Sequence, residues 1–147
     1  MNLYSTGSLN AIYDDLSNAR SKAETQKTEA WDGYNLLSVA HRDILLEKNE
    51  IEKWKYNLVM QKVNEYSNWS GAQRNKFNTF IKTDFYQAYK TYFDAVGDLL
   101  FEIYKRQQNM LFGYQELYPA VIESLGNTMA AVKSHILAVV DVADLKC

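Results

Sequence analysis

The stretch YSNWSGAQRNKF, residues 66–77, lies near the middle of the 147-residue chain and decides how the chain folds. Gly71 tolerates a positive backbone φ, and Asn68 or Ser70 can accept a backbone N–H and so cap the helix that follows. Trp69 is large enough to pack across the end of a pair of helices. These residues predict that the chain reverses its direction here.

On both sides of this stretch, apolar residues recur every three or four positions, a spacing that places side chains on one face of a helix. The first stripe consists of Leu9, Ile12, Leu16, Ala19, Ala23, Ala30, Tyr34, Leu37, Ile44, Ile51, Trp54, Leu58, Val63 and Tyr66. The second consists of Phe77, Ile81, Phe85, Ala88, Tyr92, Val96, Leu100, Ile103, Gln107, Met110 and Tyr114. The pattern predicts an all-α fold, an elongated antiparallel hairpin with a first helix over 8–66, a turn over 67–71 and a second helix over 72–116.

Two short segments bear on where these helices end or bend. Proline disfavours helix at the residue before it and suits a first helical turn, so we expect an end at Pro119 and an additional C-terminal helix over 119–145. Residues 31–33, Trp-Asp-Gly, are a candidate kink because Gly costs about 1 kcal/mol inside a helix. The apolar stripe nevertheless continues through them in phase, so both a kink and a continuous helix stay open. We expect one helical domain over 1–147.

The composition narrows the classes of protein. The chain has one Pro and six Gly, too few for the many turns of an all-β fold. Its net charge of −2 gives no bulk attraction to nucleic acid or to an anionic membrane. The single Cys, Cys147, cannot form an internal disulfide. The first residues lack the basic and apolar regions of a Sec-type signal peptide, and no stretch is apolar enough for a transmembrane helix.

No set of residues predicts a catalytic or metal-binding site. His41 and His135 are far apart in sequence, and no Cys or carboxylate cluster completes a zinc site with either. The Glu-x-x-His pair of di-iron bundles, the G-x-S-x-G motif and the phosphate-binding loop are absent from the sequence. We therefore expect no catalytic residue, no metal, no cofactor and no enzymatic activity.

The central stretch resembles a known family. Two helices joined by W-x-G near mid-chain, with an aromatic residue eight positions after the Trp, are similar to the WXG100 superfamily of small secreted helical hairpins. The matching residues are Trp69, Gly71 and Phe77. The chain is longer than the usual members and resembles the larger WXG-like proteins that accompany LXG effectors in Gram-positive type VII secretion. The resemblance covers residues 9–115.

The chain differs from the family in its export signal. Secreted members, or their partners, often carry a C-terminal Y-x-x-x-D/E motif, and no Tyr of this chain has an acidic residue four positions on. The nearest pattern is F-x-x-x-D, from Phe80 to Asp84, which places both residues on one helical face. Two interpretations stay open, an export-type motif or a packed Phe beside a solvated Asp. In the second case a partner chain would supply the signal.

The resemblance implies a role without catalysis. Such proteins pair through the apolar faces of their hairpins, as homodimers or with another WXG-like hairpin, and escort the helical domain of an LXG effector to the secretion ATPase. The protein would be cytoplasmic before the effector is exported. It could also be exported itself through the type VII machinery, without a Sec signal. Aromatic residues on more than one stripe of the second helix also call for a further surface to bury them, either the 119–145 helix or a partner. They are Phe77, Phe80, Phe85, Tyr86, Tyr89, Tyr92 and Phe93.

Two other functions remain as alternatives. The apolar cluster within residues 129–142 suits a membrane-active helical protein, and the stripes alone suit a generic coiled-coil adaptor. Nucleic-acid binding is disfavoured, because acidic residues on the second helix offset the basic residues that lie among its aromatics. Liposome binding would favour the membrane-active protein, whereas co-purification with an LXG-type helical domain would favour the secretion role.

Overall fold

The computed structural model of the chain describes residues 6–64 and 71–144, with the side chains of residues 6–58 and 71–140. Throughout these residues the protein is all-α, as predicted, and no strand occurs among them. The elements in chain order are α1 (Thr6–Asn64), α2 (Ala72–Phe80), a first π-helical segment (Ile81–Phe85), α3 (Tyr86–Phe112), a second π-helical segment (Gly113–Leu117) and α4 (Tyr118–Asp144).

The expected end of the second helix before Pro119 is wrong, because residues 72–144 are helical without interruption. The N–H of Tyr118 bonds to the carbonyl of Gly113, five residues back, which is the hydrogen bond of a π turn. In an α-helix the proline ring would collide with the carbonyl four residues back. The single wider turn just before Pro119 leaves space for the proline ring. The hydrogen-bond pattern therefore changes locally, and the chain stays helical.

By its contacts the chain divides into two compact units. The terminal unit contains residues 6–35 and 108–144 of the described chain, and the central unit contains residues 36–107. Helices α1 and α3 each contribute to both units, because the divisions fall inside these helices.

In the terminal unit, the first part of α1 runs antiparallel to the helices that end the chain. A side-chain atom placed on Gly33 would lie 2.7 Å from Sδ of Met110, and one on Gly113 would lie 3.8 Å from Cβ of Ala30. One on Gly126 would lie 3.7 Å from the Arg20 guanidinium. Small residues therefore let the helices approach closely. The buried apolar residues of this unit, among those described, are Leu9, Ala23 and Met129.

This packing decides the question left open at residues 31–33. They lie inside α1, which is continuous from Thr6 to Asn64. Gly33 is accommodated there by the close approach of the Met110 thioether. The Trp-Asp-Gly segment is thus a contact point within a helix.

In the central unit, the second part of α1 also runs antiparallel to its partner helix. The Gln107 amide donates a 2.7 Å hydrogen bond to the Ser38 hydroxyl, and the rings of Trp54 and Phe85 lie 5.7 Å apart. The buried apolar residues of this unit, within the described chain, are Ile81 and Ile103. The amide–hydroxyl pair is partly buried in an otherwise apolar contact, where such a pair favours one register over its neighbours.

The predicted second stripe is wrong at one position. Ala88 is exposed, and Tyr89 lies on the inward face, partly covered by α1. Tyr89 follows Phe85 by four residues, a spacing that places both rings on one helical face.

Gly33 offers a test of this packing. We expect Gly33→Val to destabilise the protein by about 1–3 kcal/mol, because the added methyl groups overpack the contact with Met110. Chemical denaturation followed by circular dichroism measures the effect. Gly97→Val is the matched control, since a side chain at this helical glycine meets nothing within 4 Å. A loss in the control equal to that in Gly33→Val would contradict the packing account.

Candidate functional site

The predicted turn residues are only partly described. Trp69, Asn68 and Ser70 lie outside the described residues, so the predicted reversal and its side-chain caps stay predictions. Gly71 is described and is the N-cap of α2, with φ 85° and ψ −151°. Its carbonyl accepts a 3.1 Å hydrogen bond from the N–H of Asn75, which begins the helix. Only glycine adopts this backbone region readily, so the local geometry depends on the residue type at this position.

The other predicted site residues follow on α2 and the first π segment. Phe77 is half-buried, whereas Phe80 keeps 47% of its surface exposed and its ring lies 6.4 Å from that of Phe85. Asp84 is exposed. The nearby Thr83 hydroxyl donates its shorter bond, 2.7 Å, to the Thr79 carbonyl. Phe80 is therefore an exposed aromatic beside a solvated carboxylate, a pair that is accessible to another molecule.

The central unit packs aromatic rings beneath lysine side chains. Phe85, Tyr89 and Phe93 follow one another along the helix with neighbouring ring centroids 6.4 Å and 5.6 Å apart. From α1, Lys55 lies over the Tyr89 ring and Lys48 over the Phe93 ring, each 4.1 Å from the centroid. At this distance the ammonium group is attracted to the ring face, so these lysines help to cover the aromatic surface.

Two side chains show shifted pKa values. Partial burial raises the pKa of Tyr89, and the charge of Glu52 adds to the shift. The hydrogen bond from Lys105 lowers the pKa of Glu102, helped by the charge of that ammonium group. Both shifts move the pKa away from neutral pH. Neither group is thereby prepared for proton transfer at pH 7, which needs a pKa near that value.

The terminal unit contains a second aromatic cluster, centred on Trp31. Its ring stacks on Tyr34 at 5.5 Å and on Tyr114 at 4.7 Å, with interplanar angles of 13° and 29°. Lys27 lies 5.2 Å above the Tyr114 ring. An aromatic cluster at Trp31 was not predicted from the sequence. The spacing of Trp31 and Tyr34, three residues apart on one helical face, was the signal for a cluster.

The grooves of the described chain are shallow. A mainly apolar one, of about 300 Å³, is lined by Lys55, Ile81, Lys82, Phe85 and Tyr86. Another, of about 610 Å³, is lined mostly by polar residues such as Asn49, Glu50 and Lys53. Within residues 6–64 and 71–144, no group of three His, Cys, Asp or Glu side chains could hold a metal ion. The same residues include no helix that meets the length and hydropathy of a membrane span.

Exposed apolar side chains are the main surface feature. The buried apolar residues of the described chain are few, whereas large apolar side chains keep much of their surface exposed in both units. In the central unit the most exposed are Leu36 at 72%, Tyr56 at 63% and Phe101 at 60%. Each antiparallel pair has one inner face, and these residues lie outside it.

Comparison with known proteins gives no relative. No family model matches the chain, and neither a curated protein nor a solved structure matches it.

Gly71 gives the first prediction for the turn. We expect Gly71→Ala to destabilise the protein by about 1–3 kcal/mol, since alanine is strained at this φ and ψ. A side chain here meets nothing within 4 Å, so the loss is conformational. The matched control, Gly97→Ala, should stabilise the protein by about 1 kcal/mol, because this glycine is helical and has equally open space. Urea denaturation of both variants measures the difference, and equal effects would contradict the assignment.

The Trp31 cluster gives the second prediction. We expect Trp31→Ala to cost about 2–3 kcal/mol of the free energy of unfolding, below the value for a fully buried Trp because 39% of the residue is exposed. Trp54→Ala is the comparison, with one ring contact and 58% exposure, and should cost less. Denaturation curves rank the two variants. A larger loss in Trp54→Ala would show that the stacked cluster is not a packing centre.

Proposed function

We propose that this protein acts without catalysis, by packing exposed faces of its helices against a helical partner. The observation that carries the proposal is the imbalance between its few buried apolar residues and its many exposed ones. Contiguous exposed apolar surface on a protein marks an interaction site more often than it marks an inert surface. Helix faces lined by such residues receive the apolar face of another helix.

Burial of the exposed apolar side chains favours association. Burying an exposed Leu or Phe side chain contributes about 1.5–3 kcal/mol. Leu36, Leu46 and Phe101 keep 72%, 58% and 60% of their surface exposed. Because each is already partly covered, the three together contribute about 3–6 kcal/mol. A partner must therefore cover further exposed apolar residues to offset the cost of association, about 4–15 kcal/mol.

The finer proposal concerns the kind of partner. We propose that the chain reverses at Trp69-Ser70-Gly71 and that the protein is a WXG100-like accessory protein of type VII secretion. It would escort the helical domain of an LXG effector from the cytoplasm to the export machinery. The resemblance at Trp69, Gly71 and Phe77 supports this role, together with the all-α fold and the glycine-specific backbone of Gly71. Phe80 and Asp84, both exposed beyond the turn, are the candidates for an export-type contact.

Co-purification tests this role. We expect the protein to bind the N-terminal helical domain of an LXG effector encoded beside it when the two are produced together. Trp69→Ala should weaken this capture at least tenfold while changing the melting temperature little. Trp31→Ala is the matched control. It should lower the melting temperature more than Trp69→Ala does and weaken capture less, because Trp31 packs within the terminal unit.

Three outcomes would contradict the proposal. Failure to bind any LXG helical domain encoded nearby would remove the secretion role. Equal loss of capture and melting temperature in Trp69→Ala would reduce the W-x-G segment to a structural turn. Binding to liposomes without binding to the LXG domain would favour a membrane-active protein.

A further inference from the structure

The mainly apolar groove of the central unit has the lining of a small binding site. Ile81 is buried and Phe85 is half-buried, so these two side chains form its floor. Tyr86 and the carbon stems of Lys55 and Lys82 complete the lining. No acidic side chain is among these five residues. A molecule that fills the groove therefore needs an apolar body.

Two lysine ammonium groups belong to this apolar lining. Lys55 comes from α1, where its ammonium group lies 4.1 Å from the centroid of the Tyr89 ring, and Lys82 is exposed on the first π segment. Neither lysine forms an ion pair with another side chain of the described chain. An ammonium group has three N–H donors, so contact with a ring leaves Lys55 able to bind an anion.

The acidic residues nearest in sequence leave the groove positively charged. Asp84 follows Lys82 by two positions, and side chains with this separation do not face each other on a helix. Glu52 precedes Lys55 by three positions, makes no ion pair with it and lines the more polar groove. One acidic neighbour thus stands against two lysines. The groove is complementary to a molecule that joins one anionic group to an apolar body.

We propose that this groove binds a free medium-chain fatty acid. The alkyl chain lies along Ile81, Phe85 and Tyr86, and the carboxylate meets the ammonium groups of Lys55 and Lys82. A carboxylate bound by lysine forms charge-assisted hydrogen bonds, which are stronger than neutral ones.

The size of the groove supports a ligand of this class. Its volume of about 300 Å³ is at the lower end of the range for ligand pockets. One water molecule takes about 30 Å³ in the liquid and a methylene group is of similar size, so a chain of about eight to ten carbons fills the groove. An α-helix with its side chains is about 10–12 Å across, too wide for this space. The site is therefore independent of the proposed helical partner.

Titration calorimetry with sodium decanoate, kept below its micelle concentration, tests the site. We expect saturable binding of one decanoate per chain. Decyltrimethylammonium has the same alkyl chain and the opposite charge, and should bind at least tenfold more weakly. Along the series hexanoate, octanoate and decanoate, each added methylene should tighten binding by up to about fourfold.

Lysine variants locate the carboxylate. Lys55→Gln and Lys82→Gln should each weaken decanoate binding at least threefold, and neither should weaken the binding of decyltrimethylammonium. A general loss of structure would weaken both ligands, so the pair of ligands separates the two causes. Lys53→Gln is the matched control, because it makes the same change of charge on α1 at a residue that lines the other groove. Its affinity for decanoate should equal that of the wild type.

Three results would overturn the proposal. Equal affinity for decanoate and decyltrimethylammonium would show contact with apolar surface alone. Equal weakening by Lys53→Gln and Lys55→Gln would show attraction to the overall charge of the helix. Binding to phosphatidylglycerol vesicles without binding to free decanoate would assign the lysines to a membrane surface.

Discussion

The antiparallel contact of α1 with the helices that follow it is the interaction on which the two units depend. In the terminal unit it is made by small residues, where Gly33 receives the Met110 thioether and Ala30 lies beside Gly113. In the central unit it is made by aromatic rings, and Lys48 and Lys55 cover two of them. Both units stack aromatic rings beneath lysine side chains, since Lys27 lies over the Tyr114 ring in the terminal unit. The terminal unit adds the close contacts at its glycines.

This kind of contact leaves surface unburied. A pair of helices has one inner face, and apolar residues on other faces stay exposed unless another surface covers them. Phe101 and Tyr104 on α3, and Leu36 on α1, are examples within the central unit. Because burial of exposed apolar surface is favourable, the geometry that holds each pair together also leaves the surface that the proposed partner would cover. The proposed function therefore rests on helix faces rather than on a pocket.

Much of the fold follows from spacing in the sequence, whereas parts of the candidate site do not. The apolar stripes predicted an all-α chain, because a period near 3.6 is a local property. The π segments were not predicted, since they arise where a local demand, such as the ring of Pro119, competes with the α pattern. The role of Gly33 also required tertiary knowledge, because the residue that approaches it, Met110, is distant in sequence.

The central claim is that exposed helix faces are buried against a helical partner. The heat capacity change of binding measures this most directly, because burial of apolar surface makes it negative. Titration calorimetry of the protein with the proposed partner, the helical domain of an LXG effector, repeated at several temperatures, gives this quantity. The account predicts binding with a large negative heat capacity change. Binding with a heat capacity change near zero would contradict burial of the apolar faces, and the absence of binding would contradict the proposed partner.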